Sequence, residues 1–307
     1  VKLNIQKTMN RRNFVHTTGL TLGGLTLSSK ELLANLFAQD PYKLKDLRGG
    51  VGVFTEKGGT IAYLITPTGI AVVDSQFPEQ ATHLIDALKK KSDKPIQLLI
   101  NTHHHGDHSG GNVSFKGVAE HVVAHANSLK NQKAVAEKNK TEDKQLYPDM
   151  TFTDTWKQKV GKETIKAHYF GAGHTNGDSL IHFENANIVH MGDLLFNRRY
   201  PFVDRSAGAS VKSWITVLDK ALKTFDNQTL FVFGHAFDPE KITGNKDDIS
   251  VFQDYLSKLW NFVEGEVKAG KSKEEILKVT AIPGVTEMQG DGIVRSIQAT
   301  YEEITGA

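Results

Sequence analysis

From residue 51 onward the chain alternates short apolar runs with glycine and proline breaks. Val51 to Thr55, Ile61 to Thr66 and Ile70 to Asp74 are separated by Gly58-Gly59 and by Pro67-Thr68-Gly69. Short apolar runs bounded by turn residues predict strands joined as hairpins. Between Glu79 and Lys91 the spacing changes, with Ala81, Leu84, Ile85 and Leu88 forming the stripe of an amphipathic helix. Ile96 to Ile100 and Val122 to Ala124 return to strand pattern, followed by a polar helix from about Ala126 to Lys138. Asn139 to Pro148 is charged and irregular and reads as an exposed connection or flap. The second half repeats the alternation: strands near Thr164 to Phe170, Ser179 to Phe183 and Ile188 to Met191, a helix from Val211 to Leu222, and the strand Leu230 to Phe233. Lys246 to Val267, Lys273 to Val279 and Gly290 to Ile304 read as helices. Two β-rich halves with helices outside predict a four-layer αββα sandwich in which strand ends meet at one edge.

The strand Ile96 to Ile100 runs into Thr102-His103-His104-His105-Gly106-Asp107-His108-Ser109-Gly110-Gly111. In a helix, residues two apart face nearly opposite ways, so His103 and His105 can share a metal only on a strand end or loop. The glycines favour that loop. Imidazole with carboxylate is a donor set suited to zinc and related transition metals. Three later positions repeat the arrangement of a short apolar run, a glycine and a potential ligand: His174 in Gly173-His174-Thr175-Asn176-Gly177-Asp178, Asp193 after Met191-Gly192, and His235 after Phe233-Gly234.

The motif array, its order and its spacing closely resemble the metallo-β-lactamase superfamily of hydrolases, over roughly Val51 to His235. The resemblance implies that His103, His105 and His174 hold one metal and that Asp107, His108 and His235 hold a second. Asp193 matches the position where lactonase-like and glyoxalase II-like members place a bridging aspartate. The best-known β-lactamase subclass has a cysteine near that point, and this chain has none.

The first 38 residues differ from the rest. Asn10-Arg11-Arg12-Asn13-Phe14 precedes a mildly apolar, Thr- and Gly-rich run from Thr17 to Leu27 and a small residue at Ala38. This looks like a twin-arginine export signal, implying passage through that machinery to the periplasm or beyond, with the hydrolase domain spanning 39–307 as a single domain. Its metal-site core is 51–235 and its helical part 246–304. Outside the first 38 residues the chain carries 32 basic and 34 acidic residues, so the overall +2 belongs to the signal. The remainder has no basic footprint for nucleic acid. No run of about 18 apolar residues is present, so no spanning helix is expected.

The expected function is a dinuclear zinc hydrolase in which a metal-bound hydroxide attacks a strained or activated acyl bond of a small molecule: a β-lactam, lactone or thioester. Asp107 is a candidate for handling the proton. In Phe196-Asn197-Arg198-Arg199-Tyr200-Pro201-Phe202-Val203-Asp204, Arg198 and Arg199 are candidates for binding a substrate carboxylate, and Tyr200 for steadying an oxyanion. Asp178 is a candidate acceptor that orients a ligand histidine. His104 is expected to point away from the metals, toward solvent or a neighbouring acceptor. His125 is assigned a structural role, and His168, His182 and His190, inside strand patterns, are expected to be hydrogen-bonded core or surface histidines. Two other readings use the same residues: iron or manganese in place of zinc, with iron supporting an oxidoreductase on this fold, or a metal-binding protein without turnover.

Overall fold

The structure, a computed structural model, describes residues 41–306. The export signal expected at 1–38 lies outside the described residues. The first sheet has seven strands in sequence order: β1 (Lys43–Asp46), β2 (Val51–Thr55), β3 (Ile61–Ile65), β4 (Ile70–Val73), β5 (Ile96–Asn101), β6 (Ala119–His125) and β7 (Met150–Phe152). β1 to β4 form an antiparallel meander, and β4 to β7 run parallel. Parallel neighbours need crossovers. These are α1 (Pro78–Lys91), then the short α2 (Gly106–Ser109) with the 3-10 turn Gly110–Phe115, and α3 (Ala126–Asn139).

The second sheet contains β8 (Thr155–Val160), β9 (Glu163–His168), β10 (Leu180–Phe183), β11 (Ile188–His190), β13 (Leu230–Val232) and β15 (Thr243–Gly244). β12 (Phe196–Asn197) and β14 (His235–Ala236) pair separately, in parallel. α4 (Val211–Thr224) makes the parallel crossover to β13. α5 (Lys246–Lys268), the single turn α6 (Lys273–Ile276) and α7 (Ile293–Thr305) complete the outer layer.

The period-two alternation explains the layers. Val51, Val53, Ala62, Leu64, Leu98 and Ile100 face Ile165, Ala167, Ile181, Phe183 and Val232 in a core between the sheets. Ile61, Tyr63, Val72 and Leu99 point the other way and pack beneath Leu84, Ile85 and Leu88 of α1. Val189 and Phe231 pack outward against Trp214, Leu218, Phe252 and Leu256 of α4 and α5. Both sheets are therefore buried on two faces, which gives the expected αββα sandwich in one domain.

Three features differ from the sequence reading. β8 places Trp156 and Val160 on the core but is otherwise polar, with Lys157 and Lys159 exposed on an edge strand, and its alternation is too weakly apolar to register. Exposed lysines on such an edge discourage pairing with another chain. The helices expected over Lys273 to Val279 and Gly290 to Ile304 are shorter, ending at Ile276 and starting at Ile293. Gly284, Gly290 and Gly292 between them have positive φ of 75°, 79° and 136°. Finally, His168 and His182 are not satisfied strand histidines: the Nε2 atom of each is buried with no partner.

Burial lowers both rings, His168 to about 4 from an ordinary 6.5. The folded chain resists protons that the unfolded chain accepts, so this contribution is present above pH 6.5 and is lost as pH falls toward 4. His168→Phe should flatten that acid limb. Thermal midpoints of the chelated protein and the variant, measured from pH 7 down to pH about 4.5, should diverge in the variant's favour; parallel curves would exclude the effect.

Candidate metal centre

The predicted ligands follow the carboxyl ends of β5, β9, β11 and β13. After β5 the chain bends over Thr102 to His104 and is extended at His105 (φ −63°, ψ 149°), which brings His103 Nε2 and His105 Nδ1 together. Gly106 then starts the helical turn that presents Asp107 and His108. The loop is held from behind. Asn101 and Asn112 exchange side-chain hydrogen bonds of 3.0 and 2.7 Å, and Ser75 Oγ donates to Asn112 Oδ1 at 2.9 Å. Gly111 is needed because a Cβ there would lie 2.2 Å from Ser75 O.

The first donor set converges closely. His105 Nδ1 lies 3.1 Å from His103 Nε2 and 2.8 Å from His174 Nε2. In the second, His235 Nε2 is 3.1 Å from Asp107 Oδ2 and 3.5 Å from His108 Nε2. Asp193 lies between the sets: its Oδ1 is 3.0 Å from His108 Nε2, and its Oδ2 is 3.4 Å from both His174 Nε2 and His235 Nε2. Gly234 makes this possible, since a Cβ there would lie 2.2 Å from Asp193 Oδ1.

The outer ring nitrogens fix which way the lone pairs face. His108 Nδ1 donates to Asp74 Oδ2 at 2.8 Å, His174 Nδ1 to the Phe202 carbonyl at 2.7 Å, and His105 Nε2 to Asp204 Oδ2 at 2.9 Å. His103 Nδ1 donates to Thr102 Oγ1 at 3.1 Å, and that hydroxyl donates to Asp74 Oδ2. In the neutral tautomers this network selects, each inner nitrogen presents a lone pair to the others. Lone pairs about 3 Å apart repel unless a cation lies between them, and Asp193 Oδ1, fully buried, accepts no aligned hydrogen bond. Imidazole and carboxylate donors fit a divalent transition metal, and metal-bound imidazoles take acceptors on their outer nitrogens in this way.

Without a cation, protons fill the gap unevenly. Burial opposes charge on His108, yet Asp193 and Asp74 outweigh it and raise the ring well above its usual value. His235 is raised to about 9 by Asp193 and Asp107 against the same burial. Burial and neighbouring imidazoles push His103 down, and burial with His105 holds His174 at about 3 despite Asp193. Hydrogen bonding to His235 and the charge of His108 overcome burial to lower Asp107 to about 2. Metal entering the second set must therefore displace protons.

The other candidates are placed as follows. A cleft of about 380 Å³ over the centre is lined by His105, Asp107, Asp193 and His235, with Arg199, Tyr200, Phe202, Asp291 and Arg295 among its outer walls. Arg198 is a correction: its guanidinium pairs with Asp248 at 3.5 Å and Glu287 at 3.2 Å and does not line the cleft. Its backbone is left-handed (φ 55°), turning its side chain and that of Arg199 apart. Asp178 also differs from expectation, accepting from the Thr175 amide and hydroxyl at 2.8 and 2.6 Å with no bond to a histidine. It braces the His174 turn. His104 is buried rather than solvent-facing, with Nε2 3.8 Å from Asp204. His125 caps α3 through Nδ1 and donates from Nε2 to Thr153 O, a structural role. His190 bonds Thr60 O and the Gly192 amide, supporting the Asp193 turn.

Sequence reasoning gave no role to Asp74, Thr102 or Asp204, the acceptors behind the ligands. Asp74 ends an apolar run, but its use depends on a left-handed backbone (φ 68°) that no local pattern announces. The cleft wall is also tied to the C-terminal part: Tyr200 N donates to Gln289 O, and Gln289 N to Arg198 O.

The sequence profile of the metallo-beta-lactamase superfamily matches residues 56–235. A type 2 metallo-beta-lactamase of Elizabethkingia meningoseptica is 26% identical over 212 residues, covering 66% of this chain and 82% of that protein. A protein of Schizosaccharomyces pombe described as a probable hydroxyacylglutathione hydrolase is 27% identical over 214 residues, covering 66% and 75%. Among solved structures, a metallo-beta-lactamase from Pontibacter korlensis superposes with a TM-score of 0.58 at 20% identity, covering 70% of this chain and 99% of that one. The chain belongs to the metallo-beta-lactamase superfamily, and it is a metal-dependent hydrolase that binds divalent metal through its histidine and aspartate cluster. No helix among the described residues is long and apolar enough to cross a membrane.

Asp74 positions ligands without touching the inner space. Asp74→Ala should lower metal affinity by about 10- to 100-fold while the chain stays folded, read by competition with a chromogenic chelator alongside circular dichroism. Unchanged affinity would show that the rings hold their orientation without it.

Proposed function

We propose that the chain is a dinuclear zinc hydrolase acting on a strained or activated acyl bond, with β-lactams, lactones and thioesters as its substrate classes. One observation carries this reading: inward-facing donors in two sets, with the Asp193 carboxylate between them. His103, His105 and His174 would hold one ion, and Asp107, His108 and His235 the other. The thiolate-free donor set suits zinc, with iron and manganese as the alternatives that metal analysis decides. When bound, such a pair lowers the pKa of a shared water toward neutrality and polarises the electrophile.

The protein's own groups supply the rest. Asp107, at the cleft floor, takes a proton from the attacking water and returns it to the leaving group. Tyr200, half-buried in the wall, donates its phenolic hydrogen to the developing oxyanion; burial raises its pKa, so the proton is retained at neutral pH. Arg199 takes a substrate carboxylate in bidentate fashion. Asp193 and the hydroxyacylglutathione hydrolase relative support lactones and thioesters, and the β-lactamase relatives support β-lactams. Arg11 and Arg12 support export through the twin-arginine machinery, testable by fractionation after both are changed to lysine.

The deciding experiment measures hydrolysis of a chromogenic cephalosporin, an acyl lactone and a glutathione thioester by zinc-loaded protein. Turnover of at least one is expected, abolished by chelation and by His105→Ala. Tyr200→Phe should lower kcat by about ten-fold or more with metal content unchanged. A protein holding two metals that hydrolyses none of the three would overturn the proposal.

A further inference from the structure

Among the described arginines, Arg48 is bonded to the carbonyls of Ala186, Asn187 and Gln228, Arg198 is paired with Asp248 and Glu287, and Arg205 with Glu303. Arg199 and Arg295 have no side-chain partner among the described residues, and both line the cleft over the metal centre. Arg295 comes from α7, well beyond the residues 56–235 that the family profile covers. It stands in the first turn of that helix, a turn that holds no acidic residue and has no side-chain cap. A cation there opposes the helix dipole, so helix stability does not explain the position.

The approach of α7 to the wall is close. Gly292 (φ 136°) precedes the helix, and a Cβ there would lie 3.0 Å from Tyr200 Cβ and 3.6 Å from an Arg295 guanidinium nitrogen. The other charge at the mouth of the cleft is Asp291, and the cleft is also lined by Phe202, 45% exposed, with its ring 5.6 Å from that of His105. Two unpartnered guanidinium groups, one carboxylate and an exposed phenyl ring above a metal centre make a cationic and apolar mouth.

We infer that Arg295 is a specificity-determining residue and that, with Arg199, it selects acyl substrates bearing a second anionic group beside an apolar portion. This deepens the proposed hydrolytic reading of the same site and rests on it. A monoanionic substrate can satisfy one arginine; a dianionic one can satisfy both while its apolar part lies on Phe202.

The test uses two non-hydrolysable probes, phenylsuccinate with two carboxylates and 3-phenylpropionate with one, titrated calorimetrically into zinc-loaded and chelated protein. Native protein should bind the dianion about ten-fold more tightly in both forms, the worth of one charge-assisted contact. Arg295→Gln should reduce that advantage to about two-fold or less, with metal content unchanged. Lys162→Gln, which removes the same charge in the β8–β9 turn at the far end of the sheets, should leave it intact. Equal or undetectable binding of the two acids by native protein, or an undiminished advantage in Arg295→Gln, overturns the inference. The hydrolytic reading fails on turnover and this one on selectivity, so the two failures are distinguishable.

Discussion

The mutual repulsion of electron pairs brought into one small space governs this molecule. Two imidazole nitrogens within 3.1 Å of a third, and a buried carboxylate 3.0 Å from a fourth, are unfavourable neighbours unless positive charge joins them. The chain holds them together by occupying the other side of each ring. Asp74, Asp204, the Phe202 carbonyl and Thr102 each take a ring N–H, so no ring gains by turning over. The binding energy of the metal is thus met by a site that has already lost most of its freedom, which is where preorganisation places the cost in the fold rather than in the binding step.

That cost is visible in the backbone. Asp74 and Gln76 adopt left-handed φ of 68° and 51° without being glycine, and both lie directly behind the metal loop. Strain of this kind persists only where surroundings over-determine it. The surroundings here are the buried bonds of Asp74 to the Thr102 amide and hydroxyl and of Gln76 to the Gly59 carbonyl. Gly111 and Gly234 serve the same end by letting backbone approach where any side chain would collide.

Much of this was legible from residues alone. The period-two runs located the central strands, because their residues are buried on one face or both and cannot be polar. The His103 to His108 array and the single positions His174, Asp193 and His235 could be read because metal ligands need particular side chains at strand ends. What escaped notice follows from the same logic. β8 is an edge strand whose exposed face tolerates lysine, so its pattern is faint. Arg198 and Arg199 are equivalent in sequence, and a left-handed turn at Arg198 separates their directions. Asp204 and Asp74 act by hydrogen bonds across 99 and 34 residues of chain, distances no local pattern encodes.

The two backbone hydrogen bonds joining Arg198 and Tyr200 to Gln289 carry one more consequence. They splice the wall of the cleft to a stretch of chain that supplies none of the putting-together of the metal donors. Choice of substrate is therefore shared between the loop that carries Arg199 and Phe202 and a helix that supplies no metal donor. A change in residues 277–295 bears first on the mouth of the cleft, through Gln289 and Arg295, and reaches the metal donors only by way of the loop that holds them.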